Sequence, residues 1–172
     1  MIAERITEWA QFYTASIFKW KPLLKNDGFK EIILNSLQFL VEDGRIVLNG
    51  FVIMNTHIHL IWQAKGTHTP SAIQLSFMRF TAQQMKKELM VSDAAFLEEF
   101  KVNKYDRAYQ FWKREALGVE LFTPAVFFQK LEYIHNNPVR AGLCKYPEDY
   151  YYSSARFYLS GIDTFDMLSH FA

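Results

Sequence analysis

Two short segments of this 172-residue chain carry side chains whose type and spacing suit chemistry on a charged substrate. The first is NTHIHLIW, residues 55–62, in which His57 and His59 stand two apart. β-Branched and aromatic neighbours make this run a strand, and alternate strand residues project from one face, so both imidazoles point the same way while Ile58 turns to the core. Two aligned imidazoles are half of a metal site. The competing reading is two histidines with no ligand role on an exposed strand face, and the segment alone does not separate the two; in either case both are expected on a solvent-facing strand surface, where truncation costs little stability.

The second segment is LEYIHNNPVRAGL, residues 131–143. At about 100° per residue of helix, Tyr133 and Asn137 fall about 40° apart, whereas His135 lies about 200° from Tyr133. Tyr133 and Asn137 can therefore serve one site. Asn137 also precedes Pro138, and a residue before proline is biased out of helical geometry, which suits Asn137 to capping a turn that starts at Pro138. That role and metal contact are compatible. For Tyr133 the plainer reading is a core aromatic with a wet hydroxyl.

The elements that must position these residues follow from periodicity. Residues 9–20, rich in aromatic and β-branched side chains and ended by Pro22, read as a strand. Phe29, Ile32, Ile33, Leu37, Leu40 and Val41 recur at helical spacing up to Gly44. Residues 45–54 and 57–63 form a hairpin about Asn55-Thr56. Thr69-Pro70 opens a helix to about residue 90, and Thr123-Pro124 opens another toward Asn137-Pro138. Between them, residues 92–103 read as a short helix and residues 105–114 as a strand, while the tail, 146–172, reads as irregular. Strand, helix, hairpin, helix, strand and helix in one domain, 1–172, predict an α+β fold, with helices packed on an antiparallel sheet in the ferredoxin-like manner.

Composition sets the outer limits. With 50% hydrophobic residues the chain can bury a substantial core, and 17% aromatic content leaves rings for stacking on a ligand. The single cysteine, Cys144, excludes an intrachain disulfide and a clustered-cysteine zinc site. Without an apolar signal segment or membrane-length run, a cytoplasmic protein with no membrane partner is expected. A formal net charge of +1 does not announce a nucleic-acid binder. The cations are nonetheless bunched, at Arg79, Lys86 and Lys87, at Lys101, Lys104 and Arg107, and at Lys113, Arg114, Arg140 and Lys145, and local patches of this kind serve a short single strand.

Taken together, FVIMNTHIHLIW and YIHNNPVRAGL resemble the two signature motifs of REP-associated tyrosine transposases, single-domain HUH nucleases related to the small insertion-sequence transposases. The likeness runs from the helix near Phe29 through YYYSS at residues 150–154. It implies the HUH nuclease fold and a single-stranded DNA endonuclease and strand transferase that works through a covalent 5′-phosphotyrosine. By position it implies that His57, His59 and Asn137 hold a divalent metal, Mg²⁺ or Mn²⁺, and that Tyr133 is the nucleophile. Single-stranded or hairpin DNA is the implied partner, and the protein is a monomer or homodimer. Trp112, Lys113 and Arg114 match an aromatic-basic stretch that relatives carry before the tyrosine helix. With Arg79, Lys86, Lys87 and Arg140 they are the expected DNA contacts. Thr56 departs from the family, which often has Asn before the first histidine.

The residue types agree with that chemistry. A tyrosine hydroxyl attacks a phosphodiester poorly unless its proton is removed and the phosphate charge is offset, and a metal does the second job as a Lewis acid. Imidazole ligands alone would favour softer metals than Mg²⁺. Two rival readings remain: a catalytically silent module of the same fold that binds hairpin DNA, and a hydrolase that uses His-x-His to activate water. The hydrolase calls for further acidic ligands, and Asp106, Glu115 and Glu120 form no recognisable motif.

Overall fold

The computed structural model describes residues 9–113 and 117–171. The chain forms β1 (Gln11–Ser16), α1 (Asp27–Glu42), a hairpin of β2 (Ile46–Ile53) and β3 (His57–Ala64), and the long helix α2 (Pro70–Ser92). A short helix α3 (Ala94–Glu98) and a small hairpin of β4 (Lys101–Lys104) and β5 (Arg107–Tyr109) precede β6 (Leu117–Glu120), α4 (Pro124–Arg140) and α5 (Ala155–Ser160). The main sheet runs β2-β3-β1-β6 and every neighbouring pair is antiparallel. That order, with a helix after β1 and another after β3, is the ferredoxin-like α+β arrangement.

Local chemistry fixes the helix starts. Asn26 accepts from the Gly28 N–H at 2.8 Å, Thr69 from Ala72 and Thr123 from Val126, each at 3.2 Å. Pro70 and Pro124 open their helices where a missing N–H costs nothing.

Alternation along the strands divides the interior in two. On one face Tyr13, Ala15, Ile58, Leu60 and Trp62 pack with Ile33 and Leu37 of α1 and Phe77 and Met85 of α2. On the other, Phe12, Val52 and Ile61 pack with Phe127, Leu131 and Ile134 of α4. The register pairs Phe12 with Ile61, Thr14 with His59 and Ser16 with His57. Residues directly opposite share a face, so both histidines lie on the α4 side of the sheet.

Several segments differ from the sequence expectation. The strand read over 9–20 is β1 alone, Gln11–Ser16, followed by a 3-10 turn at Phe18–Trp20. The segment 92–103 is not one helix: α2 reaches Ser92, α3 has 5 residues, and β4 begins at Lys101. Within 105–114, β5 belongs to a separate hairpin, and Trp112 makes only an isolated bridge to Ile17. The fourth strand of the main sheet is β6, whose 4 residues, LGVE, are too short to carry a period. The tail is also more ordered than expected. On both sides of α5 it supplies backbone partners to β2: Ile53 N–H donates to Tyr152 O at 2.9 Å, Ser154 N–H to Phe51 O at 3.0 Å, and Ser169 N–H to Leu48 O at 2.9 Å. These bonds cover a strand edge that would otherwise invite pairing with another chain. Among the described residues no helix is long and apolar enough to cross a membrane.

α4 packs tightly on β2 at Gly50. A Cβ there would lie 2.7 Å from Leu131 Cδ1 and 3.4 Å from Ile134 Cδ1 and Ser154 Oγ. Gly50→Ala should therefore push Leu131 out of its packed position at a cost of about 1–3 kcal/mol, seen as a lower urea midpoint. An unchanged midpoint would mean that α4 does not seat on β2 at this point.

Candidate active site

α4 has two faces with different work. Phe127, Leu131, Ile134 and Pro138 are buried, whereas Lys130, Tyr133, Asn137 and Arg140, at intervals of three and four residues, form a stripe beside the histidines. The His57 and His59 rings lie 5.0 Å apart between centroids, and the Tyr133 ring is 5.6 Å from His59, edge to face. Phe12 stacks on His59 at 5.4 Å and meets Tyr133 at 6.2 Å, forming an apolar floor under the cluster. Asn137 hydrogen-bonds with His57. Residues from β3 and α4, far apart in sequence, thus meet at one place.

Each histidine is oriented by a threonine. Thr14 Oγ1 lies 2.8 Å from His59 Nδ1, and Thr56 Oγ1 lies 3.0 Å from His57 Nδ1. With Nδ1 taken up in this way, Nε2 of His59 is left to act as a ligand, the arrangement by which outer partners fix a metal-binding histidine, while His57 makes its second hydrogen bond with Asn137. Thr56 therefore supplies a hydroxyl oxygen to His57 where the resembling family often has an amide.

The two histidines are not on a solvent-facing surface, contrary to the sequence expectation. His59 is only 5% exposed and His57 is half-buried, because α4 covers this face of the sheet. Burial pushes His59 down to about 3, helped by the positive charges of His57, Arg140 and Lys130. Burial also lowers His57, opposed by its hydrogen bond with Asn137. Both imidazoles are therefore neutral at pH 7, the form a metal requires. Among the described residues no three His, Cys, Asp or Glu side chains gather into a metal-binding group. The donors on offer are two neutral imidazoles and the amide oxygen of Asn137.

Asn137 does not cap a turn. α4 continues through Pro138 to Arg140, and Asn137 is an interior helical residue whose carbonyl accepts from Ala141 at 3.0 Å. Proline is tolerated because the helix ends within three residues, so the Ile134 carbonyl is the only one deprived of its usual donor. Gly142, at φ 74°, then turns the chain and donates to Val139 O at 3.0 Å. His135 points away from Tyr133, as its spacing requires. Its Nε2 lies 2.8 Å from Ser154 Oγ, and burial pushes it down to about 4.

The expected DNA contacts scatter. Arg140 belongs to the site: its guanidinium lies 4.6 Å from the Tyr133 ring centroid and donates to Tyr133 O at 2.8 Å. Arg79, Lys86 and Lys87 are on α2, across the sheet from Tyr133, and Lys86 Nζ sits 4.9 Å from the Tyr109 ring. Trp112 is buried at 6% exposure and its indole N–H donates to Thr81 Oγ1 at 3.0 Å, so its ring serves the core and not a ligand. Lys113 is exposed, and Arg114 lies outside the described residues. Lys130, which the sequence reading passed over, belongs with Arg140: its Nζ lies 5.1 Å from the Phe12 ring and its charge reaches His59. Its place three residues before Tyr133 was the available signal.

No protein-family model and no curated relative matches the sequence. Solved structures do. A REP-associated tyrosine transposase bound to a REP hairpin superposes with a TM-score of 0.64 at 18% identity, over 94% of this chain and 86% of that one. A protein of Deinococcus radiodurans assigned as a transposase superposes with a TM-score of 0.52 at 14% identity, over 79% of this chain and 95% of that one. At these identities the likeness is one of fold.

The depressed histidines make stability depend on pH. As pH falls below the ordinary 6.5, the unfolded chain takes up protons that buried His59 and His135 refuse until about 3 and about 4, so stability is lost on acidification. The limiting slope is about 1.4 kcal/mol per pH unit for each such histidine. Urea midpoints should fall between pH 6.5 and pH 5, less steeply in His59→Gln, and midpoints independent of pH would refute burial of the neutral imidazoles.

Proposed function

We propose that this chain is a DNA-processing enzyme that cuts and rejoins single-stranded DNA through Tyr133. The observation that carries this reading is the convergence of Tyr133, His57, His59 and Asn137, with Lys130 and Arg140 on either side of the tyrosine along the helix. Tyr133 is 46% exposed, so a phosphodiester can approach its hydroxyl while the ring stays against Phe12 and His59. Two cations along the approach attract the strand and offset its charge.

In the proposed step Tyr133 Oη forms a bond to phosphorus and releases its proton to solvent. The bond from phosphorus to the 3′ oxygen breaks, and that oxygen takes a proton to become a free 3′ hydroxyl. The product is a 5′-phosphotyrosine whose ester energy allows rejoining to another 3′ hydroxyl without a nucleotide cofactor. His57, His59 and Asn137 would hold a divalent cation, Mg²⁺ or Mn²⁺, which when bound supplies a Lewis acid for a non-bridging phosphate oxygen. The chain's contribution is to keep both imidazoles neutral and oriented by Thr14 and Thr56, and to hold Tyr133 against them by seating α4. The fold neighbour solved with a REP hairpin supports hairpin DNA as the partner.

Tyr133→Phe deletes one exposed oxygen and keeps the ring contacts, so the fold and DNA binding should persist. With a pool of hairpin-flanked single strands and Mg²⁺ or Mn²⁺, the natural protein should yield a covalent protein–DNA adduct mapping to Tyr133, and the variant neither adduct nor cleavage. Cleavage that persists without an adduct would point to hydrolysis by water. DNA binding with no cleavage by the natural protein would make this a silent binding module.

A further inference from the structure

At the end of β1 nearest His57 the chain leaves the sheet by an unusual path. Ile17 N–H donates to Thr56 O at 2.8 Å, beside His57, and Lys113 N–H donates to Ser16 O at 2.7 Å, which brings the segment at Lys113 against this end of β1. Lys19 and Trp20 then both adopt φ of 55°, a left-handed conformation that residues other than glycine seldom take and that gathers at functional sites. The turn is closed by Trp20 N–H to Ile17 O at 2.9 Å. Its result is an indole that is 57% exposed and belongs to neither core, whereas Trp62 and Trp112 are buried and the exposed Trp9 packs edge to face on Phe122 at 5.5 Å. Lys113 Nζ stands 5.6 Å from the Trp20 ring centroid, and Lys19 is exposed beside it in sequence. A large flat ring held out on strained backbone, with cations alongside, matches a nucleobase and the phosphates that flank it.

We propose that Trp20 is a stacking platform for an unpaired base of the strand that Tyr133 attacks, with Lys113 and Lys19 neutralising the adjacent phosphates. The role rests on the strand-cutting reading, and it adds a binding subsite beyond the end of β1 that pairs with His57. Stacking requires only a π face, so the platform accepts any base and discriminates unpaired from paired DNA.

The test uses the full chain, a labelled oligothymidylate that forms no secondary structure, and a blunt duplex. Trp20→Asn removes the ring while keeping a residue that tolerates positive φ, and Trp20→Phe keeps a smaller ring. Trp20→Asn should raise the oligothymidylate Kd about tenfold and leave duplex binding unchanged, with Trp20→Phe near the natural protein. The platform is overturned if Trp20→Asn binds oligothymidylate like the natural protein, if both DNAs are lost in parallel, or if the natural protein does not bind oligothymidylate. The Tyr133 adduct reports separately. An adduct together with unaltered Trp20→Asn binding removes the platform alone, whereas a tenfold loss with no adduct from the natural protein retains the platform and removes the cutting reaction.

Discussion

The seating of α4 on the sheet is the contact on which the rest of the molecule depends. Leu131 and Ile134 reach down onto β2 at Gly50, where a single added carbon would meet Leu131 Cδ1 at 2.7 Å. The same helix, turned by that contact, carries Tyr133 to 5.6 Å from His59 and Asn137 into hydrogen-bond contact with His57. Packing on one face of a helix thus sets the geometry of chemistry on the adjacent face, since positions three and four residues apart move as one rigid body. A small residue in a strand otherwise rich in branched and aromatic side chains is a requirement of the site as much as of the core.

Covering the histidines has an electrostatic consequence. A buried imidazole loses the hydration that favours its charged form, and the charges of Lys130 and Arg140 push in the same direction. The protein therefore keeps two neutral nitrogen donors beneath a cationic rim. That combination fits the proposed reading, in which uncharged ligands would hold a cation while the rim draws in a polyanion. Had the histidines been solvent-facing, as a lone His-x-His suggests, neither their protonation state nor their orientation would be fixed. Thr14 and Thr56 complete the arrangement by occupying Nδ1 of each ring.

The near-neutral charge of the whole chain conceals a sorted surface. Lys130 and Arg140 flank the tyrosine, Lys113 and Lys19 accompany Trp20, and Arg79, Lys86 and Lys87 stand on the opposite side of the sheet. The bunches along the sequence do not add up to one surface, because α2 and α4 pack on different faces. The tail has a comparable hidden role. Its backbone pairs with β2, and Ser154 Oγ touches both His135 and the Phe51 N–H, so the aromatic segment after α4 locks the helix and the sheet edge together.

What the sequence by itself determined was whatever local periodicity encodes: both Thr-Pro helix starts, the β2–β3 hairpin, the common face of His57 and His59, and the divergence of His135 from Tyr133. Its motif resemblance also pointed to the fold that the solved structures share. Other features were decided only in three dimensions. LGVE becomes the fourth strand because Phe12 and Tyr13 stand ready to pair with Val119 and Gly118, a partnership no four-residue pattern announces. Trp112 becomes core because Thr81, 31 residues away, accepts its N–H. Asn137 stays helical because hydrogen bonds beyond Pro138 carry the turn onward, outweighing the local bias against helix before proline. The burial of His59 depends on a helix that starts 65 residues later in the chain, at Pro124. Spacing tells which side chains share a face, but only packing between distant segments decides what covers that face and how far its charges are removed from water.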